Sequence, residues 1–119
     1  HSDERLRELC RPAVWESQER YEQIVFQVFA APDRSVEGWE PAGDVLHRML
    51  AVLNEVSAAR PEQSVALVGH GLALSLLLAD LQGLPHPSLA AWRAIPFAAV
   101  AAIDPSHSAV TPHWETTGA

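Results

Sequence analysis

Residues 64–83, SVALVGHGLALSLLLADLQG, predict a strand, a tight turn and a helix in immediate succession. Residues 65–68, VALV, are a continuous apolar run with two β-branched valines, which favours a strand that is buried on both faces. Residues 72–81 form an apolar run that is long enough for a helix, and Gly83 and Pro85 predict where that helix ends. The stretch therefore predicts a buried strand that leads directly into a buried helix.

His70 lies in the predicted turn and is flanked by Gly69 and Gly71. Glycines at these positions allow a sharp reversal of the backbone and leave room for a ligand to approach the main chain. At the end of a strand and beside a helix N-terminus, free amides and the helix dipole favour an anion. His70 is therefore a candidate functional residue, and the alternative is a hydrogen-bonded structural histidine.

Composition limits the classes of protein that the chain can represent. Its 119 residues predict a single domain, residues 1–119, that can bury a core without disulfides. The formal net charge is −7, which argues against a nucleic-acid partner. Cys10 is the single cysteine, and we expect a surface or half-buried thiol there rather than a nucleophile. No apolar run reaches the length of a membrane span and no secretory signal begins the sequence, so we expect a cytoplasmic protein without a membrane partner.

The rest of the chain alternates between helical and extended patterns. Apolar residues at helical spacing predict amphipathic helices at residues 15–29 and 44–59, separated by a loop at residues 31–41. This alternation with apolar strands predicts an α/β fold.

After the central stretch, one or two helical turns are expected at residues 89–92 and a second strand at residues 97–103. A third strand is expected at residues 110–115, at a sheet edge because Pro112 has no N–H donor. Two or three strands make a thin sheet for an α/β fold, which indicates that a segment upstream is absent.

Three landmarks occur in order along the chain: DERLRE at residues 3–8, GWE at residues 38–40 followed by Arg48, and VALVGHGL at residues 65–72. Together they resemble the carboxyl-terminal part of the histidine phosphatase superfamily, also called the phosphoglycerate mutase-like family. The first is similar to the family's D-x-R-L-x-E segment, the second to its G-E-S loop with Pro41 in place of Ser, and the third to the strand that ends in the second active-site histidine. Residues 95–97, IPF, resemble the start of the strand that follows.

The resemblance implies a mostly parallel sheet flanked by helices, incomplete at its N-terminus. It implies that Glu8 is the proton donor and that His70 holds oxygens of a phosphoryl group. Gly71 and Arg7 are expected to contact the substrate, although a solvated charged surface is the alternative for Arg7. No metal and no cofactor are implied, and the expected partner is a small phosphorylated substrate.

The chain departs from the family at the phosphoryl acceptor, a histidine in an Arg-His-Gly motif that residues 1–119 do not contain. The family's early portion would lie before His1. The resemblance therefore implies a phosphoryl-transfer enzyme, a phosphomonoester phosphatase working through a phosphohistidine when complete, while residues 1–119 alone are expected to be inactive. The alternative is a catalytically dead module of the same fold that binds phosphate or a partner.

Two other interpretations concern the histidine turn and the remaining histidines. Residues 69–73, GHGLA, are similar to the G-x-S-x-G elbow of α/β-hydrolases, but the serine position holds Gly71, so no acyl-enzyme can form. Solvated or capping roles are expected for the four other internal histidines, which are His47, His86, His107 and His113.

The missing segment also leads to a prediction about pairing. Removing a neighbouring strand would leave buried amides of residues 65–68 unpaired, at a cost of about 1 to 3 kcal/mol each. We therefore expect this strand to be paired on both sides, by a rearranged strand, by upstream residues or by a second copy in a homodimer.

Overall fold

The structure, a computed structural model, describes residues 2–96, 99–106 and 110–112. The chain begins with a 3₁₀ turn at Glu4–Leu6. Its further elements, in order, are α1 (Gln18–Ala30), α2 (Ala42–Ala59), β1 (Val65–Gly69), α3 (Gly71–Leu81), α4 (Leu89–Arg93), β2 (Ala99–Ile103) and β3 (Val110–Pro112). This mixture of helices with a small sheet agrees with the predicted α/β class.

The described strands form one antiparallel sheet in the order β1-β2-β3. Val65 lies opposite Ile103, and Gly69 lies opposite Ala99. Helices α3 and α4 lead the chain back to the end of β1 that it has just left, so β2 starts there and runs in the opposite direction. The described strands therefore do not form the mostly parallel sheet that the resemblance implies.

Strand β1 is buried on one face only, and the prediction of two buried faces was wrong. Val65 and Leu67 are buried, whereas Ala66 is exposed and Val68 is 58% exposed. On β2, Ala102 lies opposite Ala66 and Val100 lies opposite Val68, and both of these β2 residues are half-buried. We call Ala66, Val68, Val100 and Ala102 the outer face of the sheet.

Among the described strands β1 pairs only with β2, so the predicted second neighbour is not among them. The energetic argument for that neighbour assumed that the unpaired amides would be buried. Alternate residues of β1 are exposed, so the strand is not buried on both faces as that argument assumed.

Helix α3 is the centre of the core. Every residue from 72 to 79 is buried, because α3 packs between α2 and the inner face of the sheet. Its end follows the predicted pattern: Gly83 has a φ of 76°, a left-handed conformation that glycine adopts without strain, and the N–H of Leu84 donates to the carbonyl of Ala79 at 2.9 Å.

The first helix begins later than its apolar periodicity predicts. The hydroxyl of Ser17 accepts the N–H of Arg20 at 3.1 Å and so caps α1, which starts at Gln18. Trp15 precedes this cap and is 86% exposed, so its place in the predicted helix was wrong.

The other boundaries lie within a few residues of those predicted. Helix α2 starts two residues early, and α4 covers residues 89–93. For the second and third strands, the outlying predicted residues 97–98 and 113–115 lie outside the described part of the chain. No described helix combines the length and the apolar character needed to cross a membrane.

Candidate active site at the start of helix α3

His70 joins the end of β1 to the start of α3. Its backbone is extended, with φ −107° and ψ 160°, and it forms the N-cap of α3. The carbonyl of His70 accepts the N–H of Leu74 at 2.8 Å, and the residue is half-buried. The structure therefore places His70 where the sequence predicts it, at the carboxyl end of β1 and beside the N-terminus of α3.

The carboxylate of Glu8 lies at this same helix N-terminus. Its Oε2 accepts the N–H of Leu72 at 2.9 Å, and its Oε1 accepts the N–H of Ala73 at 2.8 Å. Oε1 also accepts the N–H of Leu9 at 2.8 Å. Glu8 and the turn that holds His70 are thus brought together from distant parts of the sequence, while the role of Glu8 as an acid stays a prediction.

The two oxygens of the Glu8 carboxylate differ in the number of N–H donors that they accept. Oε1 takes two N–H donors, whereas Oε2 takes one and keeps a lone pair. Among the described hydrogen bonds, Oε2 of Glu8 is therefore the less engaged of the two oxygens. The same contacts correct one sequence inference, because the amides of Leu72 and Ala73 are not free for an external anion: they donate to the carboxylate of Glu8.

Arg48, on α2, holds the backbone that carries Glu8. Its Nη1 donates to the carbonyls of Arg5 at 2.6 Å and Arg7 at 2.7 Å, and its Nη2 donates to the carbonyl of Glu8 at 3.2 Å. Arg48 is only 9% exposed. A buried guanidinium that satisfies three carbonyls at once fixes the path of this otherwise irregular segment.

Glu40 forms an ion pair with Arg48 and also binds the backbone of the segment that carries Glu8, at Cys10. Its carboxylate accepts Nε and Nη2 of Arg48, both at 3.0 Å, and the N–H of Cys10 at 3.0 Å. The hydrogen bonds from Arg48, more than any other cause, hold the pKa of Glu40 below its ordinary value. Residues 38–40 and Arg48 were noted in the sequence as family landmarks, but nothing in their spacing predicted this role.

A row of three aromatic side chains lies beside the site, and we call Trp39, Tyr21 and Trp92 the aromatic row. The ring centroid of Tyr21 is 5.5 Å from that of Trp39 and 5.8 Å from that of Trp92. Trp92 reaches the start of α3, where its Nε1 lies 3.4 Å from the place that a Cβ on Gly71 would occupy. Burial raises the pKa of Tyr21, Glu8 raises it further and Arg11 opposes them, so both charges act on this phenol. Sequence reasoning missed this row because its members lie on three separate segments.

The two predicted substrate-binding residues differ in position. Gly71 is the first residue of α3 and borders both His70 and the indole of Trp92. Arg7 is exposed, and its Nη1 donates to the carbonyl of Glu4 at 3.2 Å. None of the described hydrogen bonds of Glu8 involves the Arg7 side chain.

The remaining candidates lie away from this centre. Cys10 is exposed, as predicted. His47 is exposed on α2, and a ring nitrogen of His86 forms a hydrogen bond with the carbonyl of Pro87 at 2.9 Å. His107 and His113 lie outside the described residues. In the part of the chain that the structure describes, no three His, Cys, Asp or Glu side chains form a group able to hold a metal ion.

Comparison with known proteins finds a match to a protein family. A family model described as the histidine phosphatase superfamily (branch 1) matches residues 1–114, which include all three sequence landmarks. No curated protein matches the chain, and no solved structure matches it.

Proposed function

The chain belongs to the histidine phosphatase superfamily, and we propose that its Glu8–His70 site serves phosphoryl transfer from a phosphomonoester, the complete enzyme acting as a phosphatase through a phosphohistidine. The observation that carries this proposal is the carboxylate of Glu8 at the turn that holds His70. A proton donor and a phosphoryl-holding residue have to flank the same phosphate, and the position of the Glu8 carboxylate, two residues beyond His70 at the start of α3, supports this pairing.

In this proposal each residue has one task. Glu8 passes a proton from Oε2 to the oxygen that leaves phosphorus, which makes the leaving group a neutral alcohol. His70 donates a hydrogen bond to an equatorial phosphoryl oxygen as negative charge spreads over the three oxygens in the transition state. Gly71, without a side chain, leaves the approach to the helix N-terminus open.

The acceptor histidine completes the reaction. Attack by a neutral imidazole on phosphorus breaks the bond to the leaving oxygen and forms a phosphohistidine, which water then hydrolyses. Residues 1–119 contain no Arg-His-Gly segment. A strand carrying that segment would fit on the free edge of β1, parallel to it, and this is the arrangement in which the predicted parallel sheet would arise.

A second candidate function is phosphate binding without turnover. The absence of Arg-His-Gly from residues 1–119 favours it, because every other element of the site can be present in a protein that binds a phosphate and releases it unchanged. Residues 1–119 mixed with an aryl phosphate are then expected to show no turnover. Turnover that is abolished by His70→Ala would contradict this and would make His70 itself the acceptor.

The role of Glu8 is tested by the dependence of rate on the leaving group. The protein is produced from its gene with any codons upstream of His1, and Glu8→Gln is assayed with an alkyl phosphate and with p-nitrophenyl phosphate. General acid catalysis contributes about 10²- to 10⁴-fold, so kcat with the alkyl phosphate should fall by about that factor. Activity on p-nitrophenyl phosphate should fall far less, because p-nitrophenolate leaves without a proton.

Glu4→Gln is the matched control, since Glu4 is an exposed carboxylate of the same segment. It should leave both rates unchanged. An equal loss on both substrates in Glu8→Gln would remove Glu8 as the acid and leave it a structural cap of α3. A gene that encodes no acceptor histidine and a product without turnover would favour the phosphate-binding function.

A further inference from the structure

Arg11 has an unusual environment for an exposed arginine. Its guanidinium carbon lies 4.9 Å from the ring centroid of Tyr21 and 5.6 Å from that of Trp39, so the planar group rests on two members of the aromatic row. Contacts of this kind attract a cation to the ring face and restrict a side chain that is otherwise flexible. The guanidinium is thus held in place while the residue remains exposed.

Among the described residues Arg11 forms no ion pair with a carboxylate, as is also true of Arg7, Arg34 and Arg60, and of these four it is the one with a described stacking contact on aromatic rings. Four other arginines form described ion pairs, and these are Arg5, Arg20, Arg48 and Arg93. Glu16 and Glu37 line the same pocket as Arg11. The Glu37 carboxylate pairs with Arg20 at 3.1 Å, and Glu16 makes no described ion pair with Arg11. The hydrogen-bonding edge of the Arg11 guanidinium is therefore available for an anion.

The position of Arg11 relates it to the proposed active site. Tyr21 is acted on by the charges of both Arg11 and Glu8, and it contacts Trp92, which borders Gly71 at the start of α3. The two amides of α3 that would otherwise bind an anion are occupied by Glu8. A phosphate at this site therefore needs a positive group from another element.

We propose that Arg11 is an oxyanion-binding cation of this site and that Tyr21 and Trp39 hold its guanidinium in position for a phosphate. This inference rests on the proposed function and adds a binding residue to it. Arginine suits the task because its planar fork can donate two parallel hydrogen bonds to phosphate oxygens while its face stays stacked on the rings. The ligand class is a phosphomonoester dianion or inorganic phosphate, which share this chemistry.

The test is a titration of residues 1–119 with inorganic phosphate, followed by amide chemical shifts of residues 70–73 and by tryptophan fluorescence. We expect saturable changes in the wild type. Arg11→Gln should weaken the affinity by about tenfold or more, which corresponds to the loss of one or two charge-assisted hydrogen bonds. Arg11→Lys keeps the charge without the planar fork and should retain part of the affinity.

Arg60→Gln is the matched control, because Arg60 is an exposed arginine at the far end of α2 with the same formal charge. It should bind phosphate like the wild type. Equal weakening in Arg11→Gln and Arg60→Gln would show a general charge effect and overturn the proposal, as would a wild type without saturable phosphate binding. If Arg11→Gln binds phosphate with unchanged affinity while Glu8→Gln loses turnover of the alkyl phosphate, this inference alone is overturned. The proposed function then stands.

Discussion

The carboxylate of Glu8 accepts the backbone N–H of Leu72 at 2.9 Å, across 64 positions of sequence. Through this contact a short irregular segment near the start of the chain closes over the central helix of the core. The proposed acid of the site is therefore also part of the structure that positions it, and substitutions there are expected to change stability as well as activity.

Replacing Glu8 by alanine should destabilise the fold. The N–H groups of Leu72 and Ala73 would lose their acceptor, and loss of such a cap and its hydrogen bonds costs about 1 to 3 kcal/mol in the free energy of unfolding. Glu8→Gln should cost less, because its amide keeps one acceptor oxygen. Urea unfolding measures both, with exposed Glu4→Ala as the control that stays within about 0.5 kcal/mol of the wild type. Equal stability of Glu8→Ala and the control would show that the cap contributes nothing.

Replacing buried Arg48 by methionine should lower the free energy of unfolding by more than the same replacement of an exposed arginine. Methionine fills much of the space, but Glu40 is left as a charge without a partner and three carbonyls lose their donor, so the expected cost is about 3 to 5 kcal/mol. The control is Arg20→Met, which removes an exposed ion pair worth less than about 1 kcal/mol. Thermal or urea unfolding distinguishes the two. A similar loss of stability in both variants would mean that the hydrogen bonds of Arg48 do not stabilise the segment that carries Glu8.

Stability should depend on pH through Glu40. Its pKa is lower in the folded protein than its ordinary value of 4.5, so the folded state binds the Glu40 proton less readily than the unfolded state. The contribution of Glu40 is therefore fully present above 4.5 and is lost as the pH falls through the folded pKa. Unfolding free energies of the wild type and Glu40→Gln should differ at about pH 7 and converge as the pH falls below 4.5 and through the folded pKa of Glu40. A difference that stays constant over this range would contradict the assignment.

The outer face of the sheet should promote association between copies of the chain. Its residues are apolar, Val68 is 58% exposed, and beside it lies the edge of β1 that has no partner among the described strands. Val68→Lys should therefore reduce concentration-dependent association in analytical ultracentrifugation and leave the unfolding midpoint close to that of the wild type. Leu67→Lys, one residue away but only 5% exposed, is the contrasting variant and should unfold the domain. Unchanged association in Val68→Lys would show that this face is inert.

Sequence patterns predicted the elements that depend on local chemistry. The run of apolar residues at 72–81 and the glycine after it define α3 almost to the residue, because burial all around a helix needs such a run and its end needs a left-handed conformation. The start of α1 was missed because apolar periodicity continues through Trp15, while the cap formed by Ser17 decides where the helix begins.

Properties that depend on distant contacts were not predictable in the same way. Four apolar residues at 65–68 are compatible with a strand that has one buried face and with a strand that has two. The direction of β2 depends on the path that the chain takes through α3 and α4. The contact of Arg48 with the carbonyl of Arg7 spans 41 positions and leaves no local pattern. Family landmarks marked Glu8 and His70 for the site, but the stacking of Arg11 on Tyr21 has no sequence signature at all.

The structural role of Glu8, which is independent of its proposed role as an acid, affects how this protein can evolve. A lineage that gave up catalysis would still need a carboxylate to cap α3, so selection for folding alone would preserve Glu8. Residues that the fold does not require in this way, such as exposed Arg11, would drift first. In descendants of this chain, the persistence of Arg11 would therefore be the better molecular record of a retained phosphate-dependent function.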